Sequence, residues 1–229
     1  FTTEPDGESN LLREGVDPNR VHFVGNVMID TLLANRVRAI PAAQTLANIE
    51  GFSADTGEFG LLTLHRPSNV DNPAVLRRLL ETLVEISERL PLVFPIHPRT
   101  RARVKDAGLD SLLARARIGL TEPLGYLQLL GIMEKSRLIL TDSGGLQEES
   151  TALGVPCITL RENTERPITV TAGTNTIVGT DPVKIRSCFD DVMASGGKAG
   201  RIPDLWDGHA AERIAARLLE WADRRADAA

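Results

Sequence analysis

The chain has 229 residues, of which 25% are charged and 42% hydrophobic, and its formal net charge is −5. That length can bury one large core or two small ones, and the composition is that of an ordinary globular protein. The acidic balance argues against a nucleic-acid surface. No apolar run approaches the ~20 residues that cross a bilayer and no signal-peptide pattern is present, so a cytoplasmic protein that engages neither nucleic acid nor membrane is expected.

In chain order, Phe1-Thr2-Thr3-Glu4 reads as the end of a strand whose earlier partners lie outside the sequence, so the chain is expected to be a piece of a longer one. Residues 1–24 read as a connector with one helix around Leu11. Residues 59–64 form a strand candidate that ends at His65-Arg66. Asn72-Pro73 then supplies an N-cap and a proline at the first helical position, and Leu76, Leu79, Leu83, Ile86 and Leu90 follow as one apolar stripe. The next strand, 92–96, ends at His97-Pro98 and leads into a short basic helix through Arg103. A brief strand at 118–120, a helix at 124–133 and a strand at 138–140 come next.

After that strand the chain turns through Ser143-Gly144-Gly145 into a helical segment closed by Gly154 and Pro156. A strand at 155–160, a helical turn at 166–171, a short strand at 175–178 and a helix at 182–193 complete the alternation. The segment Gly196-Gly197-Lys198-Ala199-Gly200 reads as a break. An amphipathic helix at 210–221 follows, framed by Trp206 and Trp221, and the charged tail 223–229 is expected to fray. Strands alternating with helices predict an α/β fold with a doubly wound parallel sheet, Rossmann-like, and a terminal helix. The expected division is a connector at 1–24, the sheet domain at 25–196 and a loop and helix at 197–229.

The unusual polar residues fall at the ends of strands: His65-Arg66, His97-Pro98-Arg99, Asp142-Ser143, and the loop Arg161 to Arg166. Open α/β sheets bind ligands at the carboxyl ends of their strands, so these groups converge on one crevice. A strand running through glycines into a helix aims free N–H groups and the positive end of a helix dipole at one point, which suits phosphate. Ser143 adds a hydroxyl, and Gly144 and Gly145 permit close approach. Arg166 offers a planar fork for phosphate. Glu149 lies on the face of Gly145, in reach of a ribose hydroxyl, whereas Glu148 reads as a first-turn residue that suits the helix dipole. For His97, a structural hydrogen bond and ligand contact both fit.

The motif lacks the lysine and glycine spacing of a P-loop and lacks GxGxxG, so neither an NTPase nor a standard NAD site is supported. The four histidines are scattered and no acidic cluster has ligand spacing, so neither metal nor cofactor is expected. Cys157 and Cys188 have no metal or redox spacing and read as small buried thiols.

Thr141-Asp142-Ser143-Gly144-Gly145-Leu146-Gln147-Glu148-Glu149, the spacing to Arg161-Glu162-Asn163-Thr164-Glu165-Arg166-Pro167, Glu122-Pro123-Leu124-Gly125-Tyr126, Val24-Gly25-Asn26 and Leu64-His65-Arg66 resemble the non-hydrolysing UDP-N-acetylglucosamine 2-epimerases. The similarity runs from residue 1 to about 178. It implies the carboxyl-terminal half of a GT-B fold and an enzyme that interconverts UDP-GlcNAc and UDP-ManNAc by eliminating and re-adding UDP. It further implies that Ser143, Gly144 and Gly145 hold the diphosphate and Glu149 the ribose. Arg166 clamps phosphate, and His65 lies beside the leaving group with Arg66 and His97 nearby. Leu124 and Leu129 flank the uracil.

The resemblance also implies a homodimer, and proton-moving carboxylates in an amino-terminal domain outside this sequence. The chain alone is then expected to hold UDP without breaking the sugar bond. Two departures stand out. His65-Arg66-Pro67-Ser68-Asn69 has no glutamate and gains a proline, and Leu129 stands where the family often carries an aromatic residue. A GT-B glycosyltransferase and a non-catalytic nucleotide-binding module are the alternative readings.

Overall fold

The structure is a computed structural model that describes residues 1–53 and 56–226. The chain divides into two compact units, residues Phe1–Val37 with the segment from Ile202 onward, and Arg38–Arg201. The expected 25–196 domain and the observed larger unit share the whole sheet. Residues 25–37, expected in the sheet domain, group instead with the terminal helix.

The smaller unit opens with a single bridge between Thr2 and Phe23. The expected strand end at residues 1–4 thus has a partner in its own unit. Helix α1 (Pro5–Arg13) follows, and α2 (Val27–Arg36) begins at Asn26, whose side chain accepts from the Met28 amide at 2.9 Å. The sequence reading missed α2, whose apolar residues lack a clean stripe.

The larger unit contains α3 (Ala42–Leu46), β1 (Gly60–Thr63), α4 (Pro67–Val70), α5 (Pro73–Arg89), β2 (Leu92–Pro95) and α6 (Pro98–Asp106). Next come α7 (Asp110–Leu113), β3 (Ile118–Thr121), α8 (Tyr126–Lys135), β4 (Leu138–Thr141) and α9 (Gly144–Leu153). It ends with β5 (Cys157–Thr159), α10 (Pro167–Thr171), β6 (Asn175–Ile177) and α11 (Pro182–Ser195). The last helix, α12 (Ala210–Ala226), belongs to the smaller unit and is longer than expected. Residues 223–226, expected to fray, are helical; 227–229 lie outside the described residues.

All strand pairs are parallel and the order is β3-β2-β1-β4-β5-β6. The period-2 alternation of each strand sorts its side chains onto two faces. Leu62, Phe94, Leu140 and Ile158 join one apolar cluster with Leu76, Leu79, Leu80 and Leu83 of α5 and Ile185 and Phe189 of α11. Leu61, Val93 and Ile139 join the other, with Leu46 of α3 and Ile132 and Met133 of α8. Each fully buried leucine in these clusters contributes roughly 1.5–3 kcal/mol of transfer free energy.

Two glycines shape the approach to the site. Gly131 lets α8 lie against the chain before α3, because a Cβ there would sit 1.8 Å from the Ile40 carbonyl oxygen. Gly154 ends α9 in the left-handed region at φ 72°, where a β-carbon is disfavoured.

In the smaller unit, Trp206 is buried and donates its indole N–H to the Thr3 carbonyl at 3.0 Å, whereas Trp221 is exposed. Among the described residues no helix is long and apolar enough to cross a membrane.

A candidate nucleotide site at the sheet switch point

Strand order reverses between β1 and β4, and the crevice outside their carboxyl ends is where doubly wound sheets bind ligands. The two strands are tied at that end by the Thr63 and Thr141 hydroxyls, 2.6 Å apart. The Thr141 hydroxyl also accepts from the Ser143 amide at 2.9 Å. Ser143 then serves as the N-cap of α9, yet its hydroxyl caps none of the first amides. The glycines expected to form a turn, Gly144 and Gly145, are instead the first two residues of the helix. Their amides therefore belong to the set that no intrahelical carbonyl satisfies.

Asp142, noted in sequence only as a strand-end polar residue, organises this end of the sheet. Its side chain is fully buried. It accepts from the backbone amides of His65, at 3.1 Å to each oxygen, and of Arg66 at 2.9 Å. The Asn69 side-chain amide donates to it at 3.1 Å and to the Leu160 carbonyl at 2.8 Å. Asp142 thereby pins the loop after β1 to the loop after β4. An aspartate directly before a Ser-Gly-Gly helix start was the available signal.

His65, His97, Leu124, Leu129 and Ser143 line one cavity of about 180 Å³. The His65 and His97 rings lie 6.2 Å apart, tilted by 42°. His97 has a structural role as well, since its Nδ1 accepts from the Arg99 amide at 3.2 Å and caps α6. Leu124 and Leu129 also pack against the α3/α8 side of the core. A second cavity of about 460 Å³ is lined by Arg66, Asn69, Arg161 and Asn163.

Arg166 and Glu149 line neither cavity. Arg166 is paired with Glu148, Nε to Oε1 at 2.8 Å, and the Glu148 side chain is only 3% exposed. That corrects the reading of Glu148 as a first-turn dipole residue: it stands in the second turn of α9, buried, as the counter-ion of Arg166. Arg161, whose role had not been assigned, binds Glu165 through both guanidinium nitrogens at 2.8 and 2.7 Å. This pair holds the Glu165 carboxyl well below its ordinary value, at about 2. A Cβ built on Gly144 would lie 3.8 Å from Oε2 of Glu165 and 4.0 Å from Nη2 of Arg66. A carboxylate and a guanidinium thus already flank the helix start.

Glu149 accepts the Tyr126 hydroxyl at 3.0 Å. Burial pushes its carboxyl up, the Tyr126 hydrogen bond opposes this and nearby Glu148 adds to it. Burial and Glu149 together push the Tyr126 hydroxyl up. The loop that carries Arg161 and Arg166 is fastened from beneath by a buried polar network. Gln147 accepts from the Thr164 hydroxyl and from the Asn175 side-chain amide. Asn175 in turn bonds the hydroxyls of Thr159 and Thr169, and Thr169 donates to the Arg166 carbonyl at 2.7 Å.

Cys157 is buried and its thiol is pushed up to about 11 by that burial; Cys188 is half-buried. Among the described residues no group of three or more His, Cys, Asp or Glu side chains is placed to hold a metal ion.

A parallel 3-2-1-4-5-6 sheet with a helix start, guanidinium groups and an imidazole at its switch point defines a Rossmann-like α/β protein. The sequence matches the family model described as UDP-N-acetylglucosamine 2-epimerase over residues 1–219, and the chain belongs to that family.

It is 40% identical over 227 residues to the UDP-N-acetylglucosamine 2-epimerase of Methanocaldococcus jannaschii, covering 96% of this chain and 60% of the relative. It is 38% identical over 173 residues to the UDP-2,3-diacetamido-2,3-dideoxy-D-glucuronate 2-epimerase of Pseudomonas aeruginosa, covering 74% of this chain and 45% of that protein. The chain thus spans about half the length of these curated relatives. The crystal structure of the M. jannaschii enzyme in complex with UDP-GlcNAc and UDP superposes with a TM-score of 0.84 at 38% identity, covering 96% of this chain and 60% of that one. The expected fold class, one Rossmann-like half of a GT-B arrangement, agrees with that match.

Proposed function

We propose that this chain is the UDP-binding half of an enzyme that interconverts UDP-GlcNAc and UDP-ManNAc. In the proposed reaction UDP is eliminated to leave a glycal, and UDP adds back after protonation of C2 on the opposite face. The observation that carries the reading is the meeting of the α9 helix start, Arg66 and His65 at the β1/β4 switch point, in a chain of this family.

Residue roles follow from the chemistry. Charge that develops on a leaving diphosphate is stabilised by preorganised N–H groups and cations, here the amides of Gly144 and Gly145, the Ser143 hydroxyl, Arg66 and Arg166. Glu149 receives the ribose hydroxyls, and Leu124 and Leu129 with His97 bound the base. His65 stands beside the leaving oxygen. The carboxylates that move the C2 proton lie outside this chain, so the chain alone binds UDP and does not turn over. A cytoplasmic homodimer is the assembly we propose for the whole protein.

The test is to incubate the full-length protein with UDP-GlcNAc and no acceptor. UDP-ManNAc without net UDP is the expected product. Unchanged UDP-GlcNAc supports a glycosyltransferase, and free UDP with N-acetylmannosamine a hydrolysing enzyme. The 38% identity to an epimerase of a diacetamido-glucuronate nucleotide makes that sugar the second substrate to assay.

A further inference from the structure

The contact between His65 and Asp142 goes beyond a structural tie. His65 Nδ1 lies 3.0 Å from Oδ1 of Asp142, whose side chain is 0% exposed while that of His65 is 38% exposed. Each hydrogen-bond partner that meets the Asp142 carboxylate is a donor: the amides of His65 and Arg66 and the side-chain amide of Asn69. The Asn69 amide is oriented independently, because the same nitrogen donates to the Leu160 carbonyl. Both carboxylate oxygens therefore act as acceptors, and an acceptor at 3.0 Å fixes the hydrogen of His65 on Nδ1. The remaining nitrogen is Nε2; the His65 side chain is partly exposed and lines the cavity that Ser143 and His97 share. The charged or titratable groups around the imidazole are Asp142 just after β4, Arg66 next in the chain, and His97 just after β2.

We infer that Asp142 is a positioning residue that holds His65 in its Nδ1–H tautomer, so that Nε2 alone exchanges a proton with the oxygen of the departing diphosphate. The inference rests on the proposed elimination of UDP. As the C1–O bond breaks, its electron pair moves onto the diphosphate oxygen, and the proton on Nε2 of the imidazolium passes to that oxygen. The C2 proton leaves to a base outside this chain. On re-addition the diphosphate oxygen bonds to C1 and returns its proton to Nε2, so the histidine ends as it began. The Nε2–H tautomer would present its only lone pair to Asp142 instead, and a rotated ring would carry Nδ1 away from Oδ1. The backbone amides that hold Asp142 belong to His65 and Arg66 themselves, so one carboxylate sets both the ring orientation and the path of the chain that carries it.

The experiment uses the full-length protein labelled with ¹⁵N-histidine, in which this chain contributes the ring systems of His22, His65, His97 and His209. Above its titration, His65 is expected to show a protonated Nδ1 and a bare Nε2. In Asp142→Asn, whose amide offers a hydrogen in place of a lone pair, the bare nitrogen is expected to become Nδ1. kcat should then fall at least about 100-fold, the lower range for a general acid or base, while UDP affinity stays within about threefold. The limb of the kcat–pH profile that reports His65 should move as well.

An Nε2–H tautomer in the unmodified protein overturns the inference without reference to any variant, so a failure of Asp142→Asn to fold leaves it open to refutation. An unchanged kcat in a folded Asp142→Asn protein also overturns it. A protein that shows the expected tautomer but makes no UDP-ManNAc refutes the proposed function instead, and separates the two claims.

Discussion

Replacing Arg166 with alanine removes two things at once, a proposed phosphate clamp and the counter-ion of a buried carboxylate. Glu148 is 3% exposed and Arg166 is 39% exposed, with 2.8 Å between Nε and Oε1. Breaking a fully buried pair costs about 3–5 kcal/mol. Because Arg166 is partly solvated and water can enter where it stood, about 2–3 kcal/mol is the expected loss. For a chain of this size that lowers Tm by roughly 4–12 °C. Loss of a charged hydrogen bond to phosphate costs a further 1.5–3 kcal/mol of binding, on the order of 10- to 150-fold in Kd for UDP.

The double variant Arg166→Ala with Glu148→Gln separates these effects. Neutralising Glu148 should recover most of the Tm, while UDP affinity stays at the level of the single variant. Thermal melts and UDP calorimetry on the full-length protein read both quantities. A Kd that stays unchanged in Arg166→Ala, or returns to normal in the double variant, would refute the clamp. A Tm that the second substitution does not restore would refute the charge argument.

Glu149→Gln should melt at a higher temperature than the unmodified chain at neutral pH while binding UDP more weakly. The folded carboxyl is raised above 4.5, so its ionisation opposes folding, and the Tm gap should open as pH climbs past that value. A gap that closes instead would show the sign to be wrong. Glu165→Gln should tighten UDP binding a few-fold by releasing Arg161, and should remove a small stability increment that the wild type loses as pH falls from 4.5 toward about 2. An unchanged Kd would place Glu165 outside the phosphate path. Gly131→Ala should lose about 3 kcal/mol, since its Cβ must displace the Ile40 carbonyl, and equilibrium denaturation measures this. Leu129→Phe should improve UDP affinity by about 0.5–1.5 kcal/mol through stacking, which calorimetry would detect.

The sheet was legible because most strands are short apolar runs that stop near a polar residue, and α5 because Asn72-Pro73 precedes a clean stripe. Helices α2, α3, α4 and α7 were missed for one physical reason. Three of them have four or five residues, too short for a 3.6-residue period to repeat, and α2 buries only Ile29 and Leu32. Site residues that end strands were nameable from sequence, as His65, His97 and Ser143 show. The roles of Asp142, Gln147 and Tyr126 were not, because each acts through a partner distant in the chain. Asp142 bonds residues 73 to 77 positions away, so its place before Ser-Gly-Gly marks the residue but not the loop it holds.

The pairing of the cations bears on how such a site can both hold and release a nucleotide. Arg166 rests on Glu148 and Arg161 on Glu165, so both guanidinium groups of their loop are neutralised before any phosphate arrives. Bare arginines held together would repel one another, and would pull in phosphate so strongly that departure became slow. With carboxylates in place, binding becomes an exchange of one anion for another. The exchange at Glu165 is inexpensive, because its side chain is 52% exposed and rehydrates on leaving. The exchange at Glu148 is closed, because that carboxylate is buried and cannot move out to water. Arg166 therefore stays tethered and shares its remaining donors, whereas Arg161 is free to change partners. The proposed reaction, which expels a diphosphate and recaptures the same molecule, is served by one fixed and one exchangeable contact of this kind, since the leaving group must loosen from C1 without escaping from the protein.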